Sequence, residues 1–134
     1  DSAPEASLDR LRLARTCYDH FAGRLGIKVT DAMVRRRLVR SSGRDFLLTA
    51  AGARLLERLG VDVPRARQNR RAFARQCLDW SERRPHLAGA LGAALADRCF
   101  ALHWVQRARE GRSITITPQG VRGFRRWLGI SWKA

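Results

Sequence analysis

The sequence predicts an α+β, mostly helical domain built from two tandem units of one design, and three observations carry that prediction. The first is an internal repeat: Cys17-Tyr-Asp-His20 followed by Ala22-Gly-Arg-Leu-Gly26 returns as Cys77-Leu-Asp-Trp80 and Ala88-Gly-Ala-Leu-Gly92. The second is matched spacing. Gly26 to Val39 and Gly92 to Val105 are both 13 positions apart, and each half then crosses a glycine turn into an apolar run ending in threonine (Phe46-Leu-Leu-Thr49; Ile114-Thr-Ile-Thr117). The third is a shared ending: Gly52 and Gly120 follow three residues after those threonines, and Leu59-Gly60-Val61 answers Leu128-Gly129-Ile130. A chain of 134 residues with two matched halves reads as a tandem duplication. The expected division is a first unit at 1–61, a connector at 62–71 and a second unit at 72–134.

Leu11, Ala14, Tyr18, Phe21 and Leu25 recur at helical spacing, which predicts a helix over about 8–25, with Ser7 as its cap and Asp9 in its first turn. Thr30 or Asp31 then caps a second helix through Ala32, Met33 and Val34. Leu38-Val39-Arg40 and Phe46-Leu47-Leu48 flank a Ser-Ser-Gly-Arg turn and read as a hairpin. Thr49 caps a third helix with the stripe Ala51, Leu55, Leu56 and Leu59, and Gly60 ends it. The second half predicts a helix around Ala72–Trp80, a longer one over Pro85–Ala101, a hairpin from His103–Gln106 and Ser113–Thr117, and a last helix starting at Pro118 after the Thr117 cap. Helix, helix, hairpin, helix is the winged-helix order. The expected architecture is therefore two tandem winged-helix-like units related by pseudo-two-fold symmetry.

The formal charge is +15, and the only lysines are Lys28 and Lys133, so arginine supplies nearly all of it. A polyanionic partner such as nucleic acid suits that balance. No apolar stretch is long enough to span a membrane, and residues 1–10 do not look like a signal peptide. Three cysteines without a CxxC motif argue against a disulfide framework and for a reducing cytoplasm. The first residue, Asp1, leads us to expect that a longer natural chain was trimmed.

A reader of base edges needs a polar recognition helix long enough for the major groove. The spacing between Gly26 and the wing strand is short for one. The matching segment in the second half, Ala-Ala-Leu-Ala-Asp-Arg-Cys-Phe-Ala-Leu, is mostly apolar. The pattern suggests winged-helix units that have lost base reading. In the alternative reading, Arg35, Arg36, Arg37, Arg70 and Arg71 contact DNA phosphates, which gives salt-dependent affinity without sequence choice.

The motifs at 17–26 and 77–92 resemble the C-terminal region of a group of bacterial ArsR-type transcriptional regulators, and the likeness covers about residues 11–129. The resemblance implies a regulatory domain that follows a dimerising winged-helix DNA reader. DNA would be reached through that N-terminal domain, absent here, and the full-length protein would be a homodimer. The resemblance carries no agreed ligand and no cofactor.

Tyr18, His20, Asp79, Trp80, Arg83, Arg84 and His86 are the candidates for an effector cleft, an Arg-rimmed aromatic pocket for a small molecule. Cys17 and His20, with Cys77 and His86, form the alternative: thiolate and imidazole are competent ligands for zinc or copper, and a pseudo-symmetric pair could bring four ligands together. Cys17, Cys77 and Cys99 could also serve as a thiol sensor. His20 aligns with either Trp80 or His86. Asp19 and Asp79 recur at matching places, which favours a shared structural role such as capping a helix or pairing with Arg24, Arg83 or Arg84. No nucleophile-base-orienter set is apparent, so an enzyme is not expected.

Overall fold

The computed structural model describes the backbone of residues 3–133 and the side chains of residues 8–133. Helices predominate. In order they are α1 (Ala3–Leu13), α2 (Gly23–Arg35), α3 (Ala50–Leu59), α4 (Val63–Gln68), α5 (Gly89–Ala101) and α6 (Pro118–Leu128). The strands are short and come as four hairpins: β1 (Arg15–Cys17) with β2 (His20–Ala22), β3 (Val39–Ser42) with β4 (Asp45–Leu48), β5 (Arg75–Leu78) with β6 (Pro85–Ala88), and β7 (Val105–Arg107) with β8 (Ile114–Ile116).

After α1 in the first half and α4 in the connector, each half runs hairpin, helix, hairpin, helix, and this corrects the predicted helix-helix-hairpin-helix unit. The helix expected over 8–25 stops at Leu13, because residues 15–17 pair with 20–22 and the chain reverses at Tyr18. Tyr18 has φ +61° and Gly23 φ +72°, both left-handed and incompatible with a continuous helix. Helix α1 begins at Ala3, so Ser7 and Asp9 lie inside it and not at its start. The helix expected at 72–80 is strand β5, and residues 85–88 of the expected long helix are strand β6. Residues 23–35 form one unbroken helix, so Thr30 is not a cap. Its hydroxyl donates to the Gly26 carbonyl and accepts from the Leu87 amide, each at 2.8 Å. The expected connector holds the short helix α4, capped by Asp62.

The remaining elements follow the sequence. Thr49 accepts from the Gly52 amide at 3.0 Å and Thr117 from the Gly120 amide at 2.9 Å, so both threonines cap their helices. Pro118 takes the first turn of α6, and Gly60 and Gly129 end α3 and α6 at positive φ.

The two halves interlock. Phe46 and Gln76 amides donate to Ala74 and Arg44 carbonyls, joining β4 to β5 and making the four-stranded sheet β3-β4-β5-β6. In the matching position, Ile114 and Thr16 amides donate to Ala14 and Arg112 carbonyls. Helix α2 lies on β6 of the second half, and α5 on β2 of the first. One core cluster runs through both halves, with Leu25, Met33, Leu56, Leu91, Phe124 and Leu128 among its fully buried members.

Two glycines allow each helix to sit close against the hairpin that precedes it in its own half. A Cβ at Gly26 would lie 2.6 Å from the Phe21 carbonyl oxygen, and one at Gly92 2.7 Å from that of Leu87. Both obstacles are backbone, which cannot rotate away. Gly26→Ala and Gly92→Ala are each expected to lower stability by about 1–3 kcal/mol, read as a fall in urea midpoint. A change below about 0.5 kcal/mol at both positions would show that the helix–hairpin contact is looser than described.

Candidate functional site

The two repeats of the Cys/His motif meet at the junction between the halves. Cys17 faces His20 across the β1–β2 hairpin, and Cys77 faces His86 across β5–β6. Directly opposed residues in an antiparallel pair hold their Cβ atoms about 4.5–5.5 Å apart, so each hairpin presents one thiol and one imidazole together. The ligand atoms of all four side chains lie within 4.8 Å of one another. His20 and His86 are buried and the two cysteines half-buried. The counterpart of His20 is thus His86, while Trp80 lies outside the set.

The imidazole geometry is specific. The two Nε2 atoms are 3.0 Å apart. His86 Nδ1 is 2.9 Å from Asp79 Oδ2, and His20 Nδ1 is 3.3 Å from Asp19 Oδ1. An ionised carboxylate only accepts, so each Nδ1 carries the donated proton and each Nε2 turns a lone pair into the site. Burial pushes the His86 pKa down to about 4 despite the Asp79 charge, and burial lowers His20 as well. Both rings are therefore neutral ligands near pH 7. Burial, reinforced by the neighbouring Cys17, raises the Cys77 thiol to about 11. A cation in the site would reverse that effect, since a coordinating thiol is deprotonated outright.

Asp79 is the organising residue of the junction. It accepts from Arg15 Nη2 at 3.0 Å, the Gly23 amide at 2.7 Å, the Ser81 amide and the Glu82 amide at 3.0 Å each, the Ser81 hydroxyl at 2.7 Å, and His86 Nδ1. Burial alone would raise its pKa, but the hydrogen bonds from Ser81, Gly23, Glu82 and Arg15 outweigh it and hold the carboxyl well below the usual range. One side chain thus caps α2, neutralises a buried arginine and orients a histidine. Asp19 plays the looser part, with Arg71 as its partner at the half-exposed surface.

The expected arginine partners differ from those found. Arg84 pairs with Asp31 at 2.7 Å, Arg83 is exposed at φ +58°, and Arg24 is exposed. Arg15 and Arg71 take the aspartates instead. Arg15 does carry a sequence signal, since Arg15-Thr-Cys17 matches Arg75-Gln-Cys77. Of the candidate effector residues, Tyr18 and Trp80 lie outside on the hairpin turns, with Arg71 near the Tyr18 ring and Arg15 stacked 4.2 Å from the Trp80 centroid. His20, Asp79 and His86 are buried. Cys99 lies in the core, where burial raises its thiol to about 12, away from Cys17 and Cys77. Arg35, Arg36 and Arg37 are exposed at the end of α2, and Arg70 and Arg71 follow α4.

Fold and site together define an α+β protein with a Cys2His2 constellation between two interlocked halves. The chain is similar to the uncharacterized HTH-type transcriptional regulator YdfF of Bacillus subtilis (strain 168), with 42% identity over 120 residues, which is 90% of this chain and 53% of the relative. It spans about half the length of the curated relative that it matches. No family model matches the chain. No solved structure matches it either. Among the described residues, no helix is long and apolar enough to cross a membrane.

Proposed function

We propose that this chain is the regulatory part of a bacterial HTH-type transcriptional regulator, a non-enzymatic cytoplasmic protein whose DNA reader lies in a separate domain. The observation that carries the reading is the helix content ahead of each wing. A helix-turn-helix needs two helices joined by a short turn. Between its two hairpins each half has one unbroken helix, occupied by contacts to the other half, and α1 is separated from α2 by the hairpin β1–β2 and not by a short turn. The similarity to half of an HTH-type regulator supports the same view. We read the halves, 1–61 and 72–134 around the connector 62–71, as duplicated winged-helix-derived units related by a pseudo-two-fold axis. They keep the wing, the capping threonine and the closing helix. An effector at the junction would shift the arrangement of the halves and so reach the reader in a homodimer.

The exposed arginines favour a second reading, in which Arg35, Arg36, Arg37, Arg70 and Arg71 add phosphate contacts. A salt titration of this 134-residue chain on operator and random duplexes separates the two. The second reading expects weak binding, equal on both DNAs and lost between about 50 and 200 mM salt, and no binding even at low salt would end it. Operator-selective binding that survives 200 mM salt would make this chain the reader.

A further inference from the structure

We propose that Cys17, His20, Cys77 and His86 bind one zinc ion, and that this ion is the effector of the domain. The role as effector rests on the regulatory reading above; the binding itself does not.

Four features of the cluster support zinc. The donor set is two sulfurs and two imidazole nitrogens, the ligand type of tetrahedral zinc sites, and not the oxygen set of magnesium or calcium. The separations also fit. Zinc bonds of about 2.0–2.1 Å to nitrogen and 2.3 Å to sulfur put tetrahedral ligand atoms about 3.3–3.8 Å apart, against 3.0 Å between the two Nε2 atoms and 4.8 Å as the upper limit within the cluster. Opening the two nitrogens by a few tenths of an ångström and drawing in the widest pair by up to about 1 Å would complete the shell. The tautomers point the same way. With each Nδ1 committed to a carboxylate, two Nε2 lone pairs face each other at 3.0 Å, and a cation between them relieves that repulsion. Finally, Asp19 and Asp79 supply the carboxylate–histidine arrangement that orients metal-bound imidazoles.

Two thiolates would balance the charge of the ion, so the junction gains no net charge on binding. The thiol side is the accessible one. A groove of about 520 Å³, lined in part by Arg71, Gln76, Cys77 and Leu78, leads to it. Because each half supplies one cysteine and one histidine, the ion would lock hairpin β1–β2 to hairpin β5–β6. A differential affinity for one arrangement of the halves is what an effector requires.

The test uses the 134-residue chain, reduced and stripped of metal. Titration with Co2+ should give the visible bands of tetrahedral cobalt and a thiolate charge-transfer band, saturating at one ion per chain and displaced by one Zn2+. Cys17→Ser and Cys77→Ser should each weaken zinc binding by more than about 100-fold, beyond the roughly 10–100-fold cost of losing an outer partner. Cys99→Ala should leave affinity unchanged. Circular dichroism of the metal-free variants checks that they fold, and the wild-type titration stands without them. No stoichiometric zinc binding by the wild type, or full affinity in both Ser variants, would overturn the site. Tight Cu+ binding with zinc only weakly held would overturn zinc as the ion. A separate readout, operator affinity of the full-length regulator with and without zinc, tests the effector role: unchanged affinity alongside confirmed binding would remove that role and leave the metal site standing.

Discussion

Replacing Asp79 with alanine is expected to cost about 3–5 kcal/mol of stability, because it strands a buried arginine. Arg15 and Asp79 are both almost fully buried, and the charge of one is answered by the other at 3.0 Å. The same substitution removes the acceptor of the Gly23 amide at the start of α2 and the partner of His86 Nδ1. An unpaired buried charge is more expensive than a missing pair. Asp79→Asn, which keeps an acceptor oxygen but not the charge, should fall between wild type and Asp79→Ala. Asp19→Ala is the contrast. Its arginine partner is at the surface, where ion pairs contribute at most about 1 kcal/mol. Urea unfolding with a chelator present separates these effects from any metal linkage. If Asp79→Ala costs no more than Asp19→Ala, Asp79 does not organise the junction.

The second large effect is expected at Gly52 and Gly120, three residues into α3 and α6. Alanine at either position should destabilise by about 3 kcal/mol or more, at the upper end of overpacking. A Cβ at Gly52 would press into the Leu38 carbonyl oxygen, and one at Gly120 into that of Trp104. Neither helix can retreat. Thr49 donates its hydroxyl to the Arg37 carbonyl at 2.7 Å while its backbone amide donates to the Leu38 carbonyl at 3.0 Å. Thr117 binds the His103 carbonyl through its hydroxyl at 2.6 Å and the Trp104 carbonyl through its amide at 3.0 Å. Wing and helix are therefore stapled at the point where the methyl would go. Thermal unfolding of both variants checks this. Near-wild-type stability in either would mean that the staple gives way at little cost.

The recurrence of the two threonine caps was legible because it is local. A threonine cap with a glycine three residues on needs only neighbouring atoms, and both copies carry it. The hairpins at 15–22 and 75–88 were not legible by the same means. Strands of three or four residues show too little alternation to be told from a helix, and Leu11, Ala14, Tyr18, Phe21 and Leu25 do fall at helical intervals. Pro85 held the missing clue. A proline between Asp79 and His86 argues against one helix running through the second copy of the motif, and the repeat carries that over to the first.

The candidate site shows the same division. Its four Cys/His residues stand out by their repetition, with His20 alignable to Trp80 or His86, and the helix expected over 8–25 gives way to a hairpin in which Cys17 and His20 are partners. The sequence by itself determined the repeated motifs, the Thr49 and Thr117 helix caps, the hairpins that precede them and the chemical types in the Cys/His motif. These follow from local spacing and side-chain chemistry. Only the tertiary structure decided that each copy's first segment is a hairpin, that Arg15 reaches Asp79 across 64 positions, and that His20 turns toward His86 across 66. Those outcomes depend on pairing between the halves: the Ala14 and Ala74 carbonyls and the Thr16 and Gln76 amides bond to the other half, and that long-range hydrogen bonding outweighs a local helical pattern.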